Sequence, residues 1–131
     1  MRVVFDTNVI VSAVLLPRSA PRQAFDRVQE HGKLLISAAS VNELNEVLHR
    51  QYFDKYVQES QRLEFLASLI QSAELVAVTE TVDVCRDPKD NKFLELALNG
   101  KATCIISGDN DLLVLHPFRG IPIVTPQAFL T

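Results

Sequence analysis

Five short runs rich in Val, Ile and Leu recur along the chain, separated by segments of helical periodicity, and this alternation restricts the fold more than any other property of the sequence. The runs are Arg2–Phe5, Lys33–Ile36, Glu74–Val78, Thr103–Ile106 and Ile121–Val124. Several are continuously apolar rather than alternating, the pattern of strands covered on both faces of a parallel sheet. Between them, apolar spacing predicts helices over Asn8–Leu16, Pro21–Glu30, Val41–Gln51, 57–72 and Asn91–Leu98. Pro21 suits a first helical position, and Gly100 a helix end. Parallel strands joined through helices need right-handed crossovers. The expected fold is therefore α/β: a three-layer α/β/α sandwich around a mainly parallel sheet of about five strands. A length of 131 residues suits one core, so a single domain over residues 1–131 is expected.

Composition narrows the function classes. At 47% hydrophobic and 22% charged, the chain is too apolar for disorder. A formal net charge of −3 argues against a protein that holds nucleic acid by bulk electrostatics, but leaves open one that holds it through a bound divalent metal. Cys85 and Cys104 lie in or beside apolar runs without metal-site spacing, and are expected to be reduced thiols. No apolar stretch approaches the ~20 residues of a membrane helix. Met1-Arg2 leads straight into the first strand, so no leader is expected and the protein is read as cytoplasmic.

In a parallel α/β sheet the ligand site forms beyond the carboxyl ends of the strands. The acids of this chain are concentrated there. Asp6 follows the first strand, and Asp109 and Asp111 follow the fourth. Glu43 falls early in the helix after the second strand, and Asp90 at the mouth of the helix before the fourth. Each also has a capping explanation. Ser40-x-x-Glu43 is a capping-box pattern, and Asp87-Pro88-x-Asp90 reads as a helix entry. Asp6 or Asn8 could cap the first helix, and Asp109 a short turn before Leu112. Capping alone works as well with Ser, Thr or Asn, whereas here each crossover on that edge supplies a carboxylate. Gathered carboxylates repel unless a cation intervenes, and Mg²⁺ or Mn²⁺ suits carboxylate and water ligands. Metal-bound water at such a site can attack a phosphodiester without a histidine base. His31, His49 and His116 occupy positions that suggest no such role.

The same residues carry a family resemblance. Val3-Val4-Phe5-Asp6-Thr7-Asn8, Ser40-x-x-Glu43-Leu44, Asp90-x-x-Phe93-Leu94-x-Leu96-Ala97 and Ser107-Gly108-Asp109-x-Asp111-Leu112 resemble, in order and placement, the acidic motifs of the PIN-domain nucleases. Within that family, Asp87-Pro88-Lys89-Asp90-Asn91 resembles the third motif of the VapC-like branch, the toxin components of toxin–antitoxin systems. The resemblance implies a metal-dependent endoribonuclease directed at single strands, often a homodimer and inhibited by a small cognate antitoxin. It implies Asp6, Glu43, Asp90 and Asp109 as the catalytic, metal-binding acids, with Asp111 as a further ligand and Asn8 and Ser107 as supporting polar groups. Two departures leave these acids intact: Asn91 stands where many relatives carry an acid, and Ser107 where Thr is commoner.

Asp87 is read as a helix cap outside the metal shell, and Asp26, Asp54 and Asp83 as surface charges. Arg18, Arg22, Arg86, Lys89 and Lys92 are candidate phosphate contacts for RNA, set against the plain alternative of solvated helix faces. Aromatic stacking platforms are scarce, as the chain has no Trp. Two other functions compete. A Mg²⁺-dependent phosphatase or phosphotransfer domain is disfavoured because Asn8 occupies the second position of the Asp-x-Asp that the haloacid-dehalogenase type needs. A non-catalytic RNA- or protein-binding module of the same fold is disfavoured by the retention of every acid.

Overall fold

The computed structural model describes residues 1–131. Strands β1 (Arg2–Phe5), β2 (Lys33–Ile36), β3 (Glu74–Leu75), β4 (Cys104–Ile106) and β5 (Ile123–Val124) form one sheet in the order β3-β2-β1-β4-β5. All four pairings are parallel. Alternation along the strands divides the core. Val3, Phe5, Leu34, Ile36 and Ile106 enter a cluster of 18 buried residues on one face, whereas Val4, Leu35, Ile105 and Ile123 enter a cluster of 14 on the other. Helices α1 (Thr7–Leu15), α2 (Ala20–His31), α3 (Ala38–Leu48) and α4 (Glu59–Ser72) supply the first face. The second receives α5 (Asn91–Asn99) and α6 (Asn110–Leu113). A short α7 (Pro126–Leu130) ends the chain against α2.

Two expected strands are shorter than their sequence runs. Beyond Ile36 the second strand becomes a helix, so after Val76 donates to the Ile36 carbonyl at 2.8 Å the chain has no neighbour to pair with. Toward β5, Pro122 lacks an N–H, and pairing begins only at Ile123.

Two side-chain devices hold irregular segments that the hydrophobic pattern does not explain. Asn91, Glu95 and Asn99, four residues apart on α5, accept backbone N–H groups from Val84 and Cys85, from Val82, and from Thr79 and Glu80 respectively. This strap fixes the long approach to Asp87. Arg62 is fully buried in α4 and donates to the carbonyls of Leu48, Arg50 and Val57 and to the Asp54 carboxylate. It closes the 3-10 turn Gln51–Lys55 onto the end of α3.

The strand order reverses between β1 and β4. The crossovers from β1 through β2 to β3 build outward on one side, and β4 then returns to the other side of β1. The crevice beyond that switch is where an α/β sheet binds ligands, and Asp6 and Ser107 are the residues that follow the two strands flanking it.

Candidate active site

Asp6 is buried where β1 turns into α1. One carboxylate oxygen accepts the Val9 N–H at 2.9 Å, capping the helix, and the other accepts the Ser107 hydroxyl. Ser107 is itself fully buried, and its oxygen accepts the Asp109 N–H at 3.0 Å. A single hydroxyl thus serves as donor and acceptor between the ends of the two central strands. Asp109 caps α6 by accepting the Asp111 N–H at 2.9 Å. For Asp6 and Asp109, capping and site formation coincide in one side chain.

Glu43 is placed differently from its capping pattern. The helix starts at Ala38 rather than near Val41, because Ser37 and Ser40 form the reciprocal cap between them. That puts Glu43 in the second turn, with both oxygens directed at other elements. Oε1 accepts the Thr7 hydroxyl at 2.5 Å and Oε2 accepts Lys92 Nζ at 2.5 Å. Lys92 also donates to the Lys89 carbonyl. Burial raises the Glu43 pKa, but the bonds from Lys92 and Thr7 more than offset it, leaving the group below its ordinary value.

Asp90 closes the 3-10 turn Pro88–Asp90, and its side chain makes no capping bond to α5. The cap is Asp87, which accepts the Lys89 N–H at 3.0 Å. Burial, with the charges of Asp109 and Asp87, pushes the Asp90 carboxyl up to about 6, against the opposing pull of Lys92. Asp6 is also raised, first by burial and further by Asp109 and Glu43, while its bonds from Ser107 and Val9 pull the other way. The four acids from four separate segments therefore share one electrostatic field.

Glu43, Asp90, Asp109 and Asp111 line a cleft of about 530 Å³ together with Thr7 and Asn8. Asp6 lies beneath it, 4% exposed. Lys89 and Lys92 line the same cleft, as does Arg50, which the sequence pattern did not single out. Arg86 approaches Asp111 at 3.9 Å. Arg18 and Arg22 stand apart from the cleft. Arg22 pairs with Asp26, donates to the Ala13 carbonyl and lies over the Phe65 ring, the behaviour of a packing residue. Thr7 was also unassigned in the sequence, although it sits inside the Asp6-Thr7-Asn8 motif. Only the fold reveals that it reaches Glu43.

The donors are carboxylate oxygens, the chemistry of a hard divalent cation, and the elevated Asp90 reflects burial and like charge that a cation would offset. In this conformation no three acids converge on one point. Asp6 is held by Ser107 and Val9, and Glu43 by Thr7 and Lys92. The residues fit such an ion in kind, with Lys92 supplying positive charge beside Glu43.

Residues 2–111 match the family profile described as PIN domain. The chain belongs to the PIN-domain family. The matched span of this PIN domain contains Asp6, Glu43, Asp90, Asp109 and Asp111, and ends before β5 and α7. It is 32% identical over 120 residues to an uncharacterised protein of Methanocaldococcus jannaschii, an alignment covering 88% of this chain and 76% of that one. The fold is similar to solved structures of distant sequence. VapBC2 of Rickettsia felis, bound to a DNA fragment from its promoter, gives a TM-score of 0.64 at 12% identity, covering 94% of this chain and 97% of that one. VapBC-1 of nontypeable Haemophilus influenzae gives 0.62 at 14% identity, covering 97% and 99%. FitAcB of Neisseria gonorrhoeae gives 0.58 at 16% identity, covering 95% and 98%. No helix of this PIN domain is long and apolar enough to cross a membrane.

Proposed function

We propose that this PIN domain is a metal-dependent endoribonuclease and the toxin of a toxin–antitoxin pair. The observation that carries the reading is the cleft itself. Glu43, Asp90 and Asp109 line it from three connections, Asp6 from a fourth is coupled to Asp109 and Glu43, and burial together with like charge raises Asp90 to about 6. Asp6, Glu43, Asp90 and Asp109 would hold Mg²⁺ or Mn²⁺, with Asp111 as a further ligand. Such an ion, when bound, supplies a water of lowered pKa and stabilises charge on the phosphodiester. The chain's own residues do the rest. Ser107 orients Asp6 and Asp109 together, and Asn8 offers an amide beside them. Lys89, Lys92 and Arg50 bring positive charge to an RNA backbone that the net-acidic protein would otherwise repel.

Partners are inferred from the relatives. Three similar solved structures carry the names VapBC2, VapBC-1 and FitAcB, which supports a small protein antitoxin here, while a fourth of similar fold is PAE2754 of Pyrobaculum aerophilum. The family resemblance adds a homodimer, and the sequence reading places it in the cytoplasm. Solution mass, alone and with the product of an adjacent small reading frame, tests both associations.

Incubation of a mixed single-stranded RNA pool with Mn²⁺ tests the activity. The wild type should cut, and Asp6→Asn, Asp90→Asn and EDTA should each stop it. Cutting that persists in EDTA contradicts the mechanism, and a wild type that binds RNA without cutting it favours the non-catalytic module.

A further inference from the structure

Asn8 and Asp109 belong to two cavities. Besides the charged cleft, they line a second groove of about 340 Å³ that Glu43 and Asp90 do not reach. Its walls come from α1, the Gly108–Asp109 turn and the start of α7, with Ser12 and Gln127 as its other polar side chains. Asn8 and Ser12 are four residues apart and share a face of α1.

The chemistry of this groove differs from that of the cleft. Asp109 is its one charged residue, and no cationic side chain lines it to hold a phosphate. Asn8, Ser12 and Gln127 instead present two amides and a hydroxyl to it. Pro21 and Pro126 add flat apolar surface. Neutral donors and acceptors in a pocket of this size suit a planar, uncharged ligand with a hydrogen-bonding edge. Asn and Gln pair with base edges through two bonds at once, and the bases of single-stranded RNA are free to be read that way. Because Asn8 and Asp109 line both cavities, this groove adjoins the cleft in which the bond would be cut.

We infer that the groove lined by Asn8, Ser12 and Gln127 is a nucleobase pocket that selects the nucleotide beside the bond to be cut. This rests on the nuclease reading. Ser12 and Gln127 are specificity residues here, outside the acid cluster.

Two readouts test it on the full chain. The first is fluorescence anisotropy with four single-stranded RNA hexamers that differ in one central base, in Ca²⁺, for the wild type, Gln127→Ala and Ser12→Ala. The second is the base profile around cut sites in a random RNA pool with Mn²⁺. The wild type should separate the best and worst hexamers by about 5- to 100-fold, and show a base preference on one side of the cut. Gln127→Ala should shrink that spread to a few-fold and flatten the profile, with the melting temperature little changed. An unchanged spread and profile in both variants overturns the pocket while leaving the nuclease reading intact, and so does a wild type that cuts without base preference. A wild type that neither binds nor cuts RNA overturns both. A groove that takes a segment of a protein partner would show the unchanged profile together with weakened partner binding in Gln127→Ala.

Discussion

The two walls of the cleft hold their acids by opposite means. On the sheet wall, Asp6 and Asp109 are tied to backbone N–H groups and to the buried Ser107 hydroxyl, so their positions are set before anything binds. On the helix wall, Asp90 has no capping bond and is constrained by burial and neighbouring charge, while Glu43 leans on a lysine from another helix. One wall is held by hydrogen bonds within the fold, and the other by burial, neighbouring charge and one ion pair. The same residue type therefore does different work on each wall, and substitutions should separate the two.

The largest effect belongs to the sheet wall. Under the proposed metal mechanism, Asp6→Asn should lower RNA cleavage by on the order of 10³-fold, since it removes a buried charge that would hold the cation. Ser107→Ala removes only the hydroxyl that aims Asp6, and should reduce activity or Mn²⁺ affinity by ~10–100-fold. If Ser107→Ala matched the wild type, the preorganised wall would not matter.

On the helix wall, Lys92→Met should tighten Mn²⁺ binding by ~10-fold in calorimetry, because the metal no longer competes with a part-buried ammonium for Glu43. Turnover should fall at the same time if Lys92 also meets the RNA backbone. Unchanged or weaker Mn²⁺ binding would mean that the pair is merely structural.

The smallest effect concerns stability and pH. Asp90 is pushed up to about 6 in the folded protein against ~3.9 when unfolded, so the folded state retains a proton that the unfolded state has released. Its contribution to the stability of the metal-free protein is complete below ~pH 4 and is lost as the pH rises through 6. Asp90→Asn should therefore raise the metal-free melting temperature at pH 7 by ~4 °C, about 1 kcal/mol after solvent screening, and leave it unchanged near pH 4. Mn²⁺ affinity of the wild type should weaken as the pH falls below 6, where the proton competes for the same carboxylate.

The sequence revealed the sheet wall more completely than the helix wall, for a physical reason. An acid at or within three residues of a strand end stays at that edge of the sheet, so Asp6 and Asp109 could be located from strand periodicity. Glu43 was harder to read, because Ser40-x-x-Glu43 carries a local capping signal. The helix instead used the earlier Ser37, and the Glu was released for a long-range contact with Thr7 and Lys92 that no local spacing encodes. Likewise, Arg62 and the strap on Asn91, Glu95 and Asn99 look like solvated helix polar residues until the chain folds over them. The fold class, sheet composition and strand direction could be read from the pattern. The short ends of β3 and β5 depended on which neighbours remained to pair with.

Joint binding of one cation site by carboxylates from both walls is tested most directly by anomalous diffraction from a crystal soaked in Mn²⁺. A peak is expected in the cleft within bonding distance of oxygens from both walls, including Asp6 and Asp90, with Lys92 moved off Glu43. A fully soaked crystal with no peak there, and Lys92 still on Glu43, would contradict it.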